Sequence, residues 1–294
     1  MQFSVLMSVY KNEKTEYFKQ AIDSVIHQTM PPTEIVLVRD GMVYDELQEA
    51  INQYLEAYPN LFTYIPLEEN GGLGKALRTG LLQCKYDLVA RMDTDDICVS
   101  DRFEKQLAVF ANNPMVDMVG GNIAEFAESI EVILDYRCVP YTDEAIKERV
   151  KSRSPFNHMT VMFKKEAVLK AGNYEPFYLF EDWYLWIRMF LSGCTFGNLN
   201  EVLVYARICG MSARRGGMKY FKSCKKLLQF MRQNGIISRV EYLKSGFIRF
   251  NGYVVCPNKV RELAYKKLLR GKNVQETESV STATVEKEKR YIEK

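Results

Sequence analysis

Only two histidines and two tryptophans occur among the 294 residues, and the seven cysteines never form a C-x-x-C pair. That scarcity excludes a structural zinc framework, and an odd, scattered cysteine set excludes a disulfide scaffold, so the thiols are read as reduced in a cytosolic protein. No window approaches the roughly 18 consecutive apolar residues of a membrane-spanning helix. Met1–Val9 lacks a basic stretch ahead of a long apolar one, and reads as a first buried strand rather than a leader. A large charge of one sign is missing too: 40 basic against 37 acidic residues leave a net +3, which argues against a nucleic-acid partner. What is present, 47% hydrophobic and 12% aromatic residues, supports a sizeable core.

The small net charge is a cancellation. Residues 1–212 carry 20 Lys and Arg against 30 Asp and Glu, whereas residues 213–273 carry 16 against 2. An acidic body and a basic C-terminal part therefore need separate explanations.

The first half alternates short apolar runs with amphipathic stretches, the pattern of strand–helix–strand units on a parallel sheet. Strands are predicted at Phe3–Val9, Glu34–Arg39, Phe62–Pro66, Leu88–Met92 and Met115–Val119, and later at Val161–Phe163 and Val202–Ala206. Helices are predicted at Thr15–His27, Asp45–Tyr58, Leu73–Cys84 and Ser100–Asn112. Ligands of such sheets bind at the carboxyl ends of the strands. Those ends read Tyr10-Lys11-Asn12-Glu13, then Asp40-Gly41, then Glu69-Asn70-Gly71-Gly72-Leu73-Gly74-Lys75, then Asp93-Thr94-Asp95-Asp96. One rim thus collects an aromatic ring, carboxylates and a glycine-rich turn, the groups that a nucleotide site needs.

Asp93, Asp95 and Asp96 put three carboxylates within four residues, an arrangement that repels itself unless a cation neutralises it. A hard divalent ion shared with phosphate oxygens suits that set, while a solvated acidic turn is the plainer alternative. The Asn70–Lys75 turn opens a helix and would favour an anion through its N–H groups. It matches neither the Walker pattern nor G-x-G-x-x-G, and taken alone a turn that needs positive φ is the better explanation of its glycines. Glu181-Asp182 starts a second apolar helix beside Trp183 and Trp186, a setting for a general base in a sugar-stacking cleft, against simple dipole-complementing acids and core tryptophans. His158 reads by default as a satisfied structural histidine, with a place in the site as the alternative. Arg207 and the run Arg214-Arg215 follow a strand, either as a charged surface loop or as a guanidinium clamp for phosphates.

Taken together, these strings resemble the family 2 glycosyltransferases, inverting nucleotide-sugar enzymes of GT-A fold, and especially the bacterial members that build capsular or exopolysaccharide repeat units. The resemblance spans residues 3–217 and rests on five separated motifs in the family's order: Ser8–Glu13, Asp40-Gly41, Asn70–Leu77, Ala90–Asp96 and Glu181-Asp182. It implies an α/β fold, a Rossmann-like mixed, mostly parallel sheet flanked by helices. It further implies that Tyr10 stacks on the nucleobase and Asp40 hydrogen-bonds it, that Glu13 and Asp93 hold the ribose, and that Asp95, supported by Asp93 and Asp96, binds Mn²⁺ or Mg²⁺ at the diphosphate. Lys75 would approach the donor, Asp182 would be the catalytic base, Glu181, Trp183 and His158 would line the substrate side, and Arg214 with Arg215 would close over the diphosphate. Arg39 stands where many members have a further Asp, and Arg78 where many have Asn. With no Q-x-x-R-W string, the processive synthases are disfavoured.

The implied reaction moves a sugar (glucose, galactose or an N-acetyl form) from a UDP-sugar to a glycan or lipid-linked acceptor. A nucleotidyltransferase and a non-catalytic carbohydrate-binding or scaffold protein are the rival readings. Three segments are expected: a catalytic domain over 1–217, a basic helical extension over 218–273, and a polar tail over 274–294. Apolar and aromatic residues with flanking lysines in the extension suggest contact with an anionic membrane, peripherally on the inner face of the cell membrane, or else packing on the catalytic domain with a solvated cationic face.

Overall fold

The computed structural model describes residues 1–208 and 216–256. The first units alternate strand and helix: β1 (Phe3–Tyr10), α1 (Thr15–Ile26), β2 (Glu34–Asp40), α2 (Asp45–Ala57), β3 (Phe62–Leu67), α3 (Leu73–Gln83) and β4 (Leu88–Asp93). Then follow β5 (Ile97–Cys98), α4 (Arg102–Asn112), β6 (Met118–Phe126), β7 (Ile133–Arg137), α5 (Asp143–Arg149), a short helical turn at His158–Thr160 and β8 (Met162–Lys164). The remainder is α6 (Lys165–Lys170), α7 (Glu181–Leu191), β9 (Phe196–Arg207), α8 (Gly217–Gln233), α9 (Arg239–Phe250) and a helical turn at Asn251–Val255.

The strands form one mixed sheet in the order β3-β2-β1-β4-β8-β6-β9-β5, with β7 on β6. The β3-β2-β1-β4 block is parallel, β8 runs antiparallel between β4 and β6, and β6 pairs in parallel with β9. Both faces are covered, which is why the central strands are apolar at consecutive positions rather than alternating. Val5, Met7 and Val9 of β1 join α1, α2 and α4 on one side. Leu6 of the same strand, with Val36, Val38 and Val89, meets α3, α7 and α8 on the other. Gly80 lets α3 lie close on the sheet, since a Cβ there would come within 2.7 Å of Val38 and closer still to Leu6.

The parallel block with its helices follows the expected pattern to within one or two residues at most boundaries. Beyond β4 the expectation was thinner. The strand expected at Met115–Val119 runs instead over Met118–Phe126, and every one of its residues is buried. Gly120 and Gly121 interrupt its apolar run because side chains there would strike Asn198 and Leu203. Helix α8, in the stretch expected as a basic extension, packs on the sheet domain. Its Cys224, Leu227, Leu228 and Met231 are fully buried in the same core as α3 and α7, and each large apolar side chain so buried contributes roughly 1.5–3 kcal/mol. The tail over 274–294, and the extension beyond residue 256, lie outside the described residues. No helix among the described residues is long and apolar enough to cross a membrane.

Candidate functional site

The parallel register brings the ends of β1, β2 and β4 to one rim, with Tyr10 opposite Asp40 and Ser8 opposite Asp93. Glu13, just past β1, is buried. One of its carboxylate oxygens accepts from Thr94 Oγ1 at 2.7 Å and the other from the Lys14 backbone N–H at 3.0 Å. Burial outweighs these bonds and raises its pKa. Glu13 is thereby locked to the segment that carries the acidic triad.

Asp40 is buried at the end of β2, and its two carboxylate oxygens accept the backbone N–H groups of Gly71 at 2.7 Å and Gly72 at 2.9 Å. Asn70 Nδ2 donates to the Asp40 carbonyl at 3.0 Å. The glycine turn is therefore clamped to β2, with Gly72 at φ +82°, a conformation that disfavours side chains. Lys75 lies exposed in the first turn of α3. Arg78, on the same helix, donates to the carbonyls of Gly172 and Tyr174, tying α3 to the segment before α7.

Asp93, Asp95 and Asp96 each present a carboxylate oxygen within 4.8 Å of the others. Burial first, then Asp93 and Glu13, pushes the Asp95 carboxyl up to about 7. Asp96 is raised well above the ordinary range by burial and by both neighbouring aspartates. One Asp96 oxygen accepts the Arg207 backbone N–H at 2.7 Å, while the other is buried with no hydrogen-bond partner among the described residues. Three hard oxygen donors, an orphaned buried oxygen and the raised proton affinities of Asp95 and Asp96 fit a divalent cation.

Two arginines, Arg91 and Arg207, hold this triad. Arg91 is fully buried, and its Nη2 donates to Asp93 Oδ1. The sequence signal was available: residues two apart on a strand share a face. Arg207 donates from Nε to the Asp95 carbonyl at 3.0 Å and from Nη2 to Gln20 Oε1 at 2.7 Å, and its guanidinium lies 3.8 Å from the Tyr17 ring centre. Buried and held on three sides, it is a fixed strut behind the acidic turn, neither the charged surface loop nor the flexible clamp that the sequence left open. Arg214 and Arg215 lie outside the described residues.

Glu181 and Asp182 open α7 after Leu179, whose φ of +58° is unusual for a side-chain-bearing residue. Asp182 Oδ2 accepts from Ser154 Oγ at 3.4 Å. Burial, then Asp182, pushes Glu181 up to about 7, with Asp93 raising it further and Arg91 opposing. Charges from β4 thus act directly on the start of α7, although the two are far apart in sequence.

Trp183 and His158 depart from their expected places along the substrate. Trp183 is buried, donates from Nε1 to the Val150 carbonyl at 2.9 Å, and packs on Phe180 and Arg249. A helix turns by about 100° per residue, so the ring one position after Asp182 points inward. His158 stacks edge-on to Trp186 and its Nε2 meets the Tyr174 hydroxyl at 3.0 Å. Burial, with the Arg91 charge beside it, lowers its pKa well below the usual value, which favours the neutral ring.

A family model described as Glycosyl transferase family 2 matches residues 4–171. An uncharacterized glycosyltransferase of Haemophilus influenzae is 41% identical over 271 residues, covering 92% of this chain and 100% of its own length. The amylovoran biosynthesis glycosyltransferase AmsE of Erwinia amylovora is 37% identical, over 92% of this chain and 100% of that one. The Escherichia coli UDP-Gal:alpha-D-GlcNAc-diphosphoundecaprenol beta-1,3-galactosyltransferase is 35% identical, over 92% and 97%. Among solved structures, S. aureus TarS 1-349 in complex with UDP-GlcNAc superposes with a TM-score of 0.63 at 20% identity, over 91% of this chain and 76% of that one. The mannosyltransferase PcManGT of Pyrobaculum calidifontis, in complex with GDP-Man and Mn2+, gives 0.60 at 13%, over 99% and 84%. The likeness to both of these is one of fold.

Proposed function

Because this chain belongs to glycosyl transferase family 2 and is a glycosyltransferase, we propose that it moves a hexose or N-acetylhexosamine from a UDP-sugar to a lipid-linked saccharide, with inversion and with a divalent cation. The observation that carries the reading is the meeting of two acidic groups from distant segments, the Asp93/Asp95/Asp96 triad and the Glu181–Asp182 pair, in one electrostatic field. The donor class and the acceptor are supported by the Escherichia coli relative, whose name specifies both.

In this reading Tyr10 stacks on the base at the rim beside Asp40. Asp40 acts chiefly through the glycine turn, keeping the N–H-rich start of α3 and Lys75 in register with β2. Glu13, held by Thr94, accepts from the ribose, and Asp93, held by Arg91, does the same from the other side. Asp95 with Asp93 and Asp96 would hold Mn²⁺ or Mg²⁺, which when bound neutralises the charge growing on the diphosphate leaving group. Asp182, oriented by Ser154, accepts the proton of the acceptor hydroxyl as its oxygen bonds to the anomeric carbon and the bond to the diphosphate breaks. Attack opposite the leaving group turns an α-linked donor into a β-linked product. Glu181, with its raised proton affinity, keeps the pair from carrying two full charges at neutrality.

The test is release of UDP from UDP-glucose, UDP-galactose and their N-acetyl forms, with a diphospholipid-linked N-acetylglucosamine as acceptor, in Mn²⁺ or in EDTA. One donor should turn over in Mn²⁺ and not in EDTA. Turnover of none, or equal turnover in EDTA, contradicts the proposal.

A further inference from the structure

Helix α9 is inside out for a helix packed on a globular domain. None of its 12 residues is buried, and four of its apolar side chains are more than half exposed. Val240, Leu243 and Phe247 fall three and four residues apart on one face, with Ile248 beside them, and they are 74%, 60%, 73% and 58% exposed. The inner side is polar and cationic instead. Tyr242 packs under the Arg232 guanidinium of α8, while Arg249 donates to the Ser152 carbonyl and the Tyr253 hydroxyl and lies 5.2 Å from the Trp183 ring centre. An Arg turned in and a Phe turned out oppose the usual drive to hide apolar surface, so the outer row has a use other than folding.

The charge around the row identifies its partner. Over residues 216–256 there are eight Lys and Arg and one acidic residue, Glu241. Lys219, Lys222, Lys225 and Lys226 of α8, and Arg239 and Lys244 of α9, are all exposed. Phe221 of α8 meets Phe250 of α9 edge-on at 5.2 Å, which holds the lysine-bearing helix against the helix that carries the apolar row. A second copy of the chain would set like charges against each other across a two-fold axis. An anionic bilayer complements both components at once, with acyl chains for the row and headgroups for the lysines. We propose that the α8–α9 face docks on an anionic lipid surface.

The docking face stands without any donor or acceptor; its use rests on the reading of a lipid-linked acceptor. Arg249 of the docking helix packs on Trp183, which ties α9 to the first turn of α7.

The test is flotation of the full chain with vesicles of phosphatidylcholine alone or with about a third phosphatidylglycerol, at salt near physiological. Two variants accompany it, Leu243→Ser with Phe247→Ser, and Lys222→Gln with Lys225→Gln and Lys226→Gln. All five positions are exposed, so both variants should keep their fold by circular dichroism and keep turnover of a water-soluble acceptor analogue. The wild type should float only with the anionic vesicles, and each variant should lower its partition coefficient by about tenfold or more. No binding by the wild type overturns the proposal, whether the face pairs with a second copy or is covered by this chain's own residues beyond 256. Binding that neither variant weakens overturns it as well. Binding that depends on both sets of residues, in a protein that turns over no UDP-sugar, upholds the docking face and refutes the proposed reaction.

Discussion

Replacing Asp40 by Asn separates the mechanical role of this residue from its charge. In the native protein each carboxylate oxygen takes one backbone N–H of the glycine turn, from Gly71 at 2.7 Å and Gly72 at 2.9 Å. An Asn keeps one acceptor and turns an NH₂ group toward the other N–H, so one charge-assisted bond is lost and the survivor is weakened. A hydrogen bond to a charged group is worth about 1.5–3 kcal/mol, and a buried donor left facing a donor adds to the cost, which puts the change at about 2–3 kcal/mol. For a domain of this size that lowers Tm by about 4–8 °C. Differential scanning calorimetry reads the shift, and titration with UDP reads the second consequence, weaker nucleotide binding as the start of α3 loses its register. A variant with unchanged Tm would refute the clamp. A variant with the lowered Tm but native UDP affinity would confine Asp40 to stability.

Two further predictions bear on the acidic groups and on the core. Asp95 and Glu181, ordinarily near 3.8 and 4.5, are pushed up to about 7 in the folded protein, and Glu13 and Asp96 are raised too. Raised carboxyls bind more protons folded than unfolded, so the metal-free protein should lose stability as pH climbs from the ordinary carboxylate range to about 7. A cation needs the same groups deprotonated, so Mn²⁺ should add more to Tm at about pH 7.5 than at about pH 5.5; equal increments would contradict this assignment. Trp183→Phe should lower Tm through loss of the bond to the Val150 carbonyl while leaving the donor KM unchanged; a raised donor KM with native Tm would return Trp183 to the binding cleft.

How far the sequence could be read depended on where the determining contact lies. The parallel block was legible because each strand is an apolar run bounded by turn residues and each helix carries its own 3.6-residue pattern. β6 was cut short because Gly120 and Gly121 interrupt its run, and their reason is Asn198 and Leu203, nearly 80 residues on. β5 has two residues, Ile97 and Cys98, and its pairing with Tyr205 and Val204 leaves no local pattern. Within the site, residue types at strand ends were readable, but their partners were not. Asp40 was marked for a base, while its bonds to Gly71 and Gly72 depend on the β2–α3 approach. Trp183 was placed in the cleft because it adjoins Asp182 in sequence, although adjacent residues on a helix point apart. Arg91 was legible beside the acidic cluster, because the strand pleat puts residues two apart on one face with Asp93.

The most direct test of the account is Asp182→Asn, assayed for sugar transfer and, separately, for UDP binding. Asp182 lies outside the acidic triad and is exposed enough to meet an acceptor hydroxyl, with Ser154 as its hydrogen-bond partner. Loss of a general base costs about 10²–10⁴ in rate. Transfer should fall by at least that order, with UDP affinity and Tm near native. Transfer at the native rate, or loss of transfer only in step with loss of UDP binding, would contradict it.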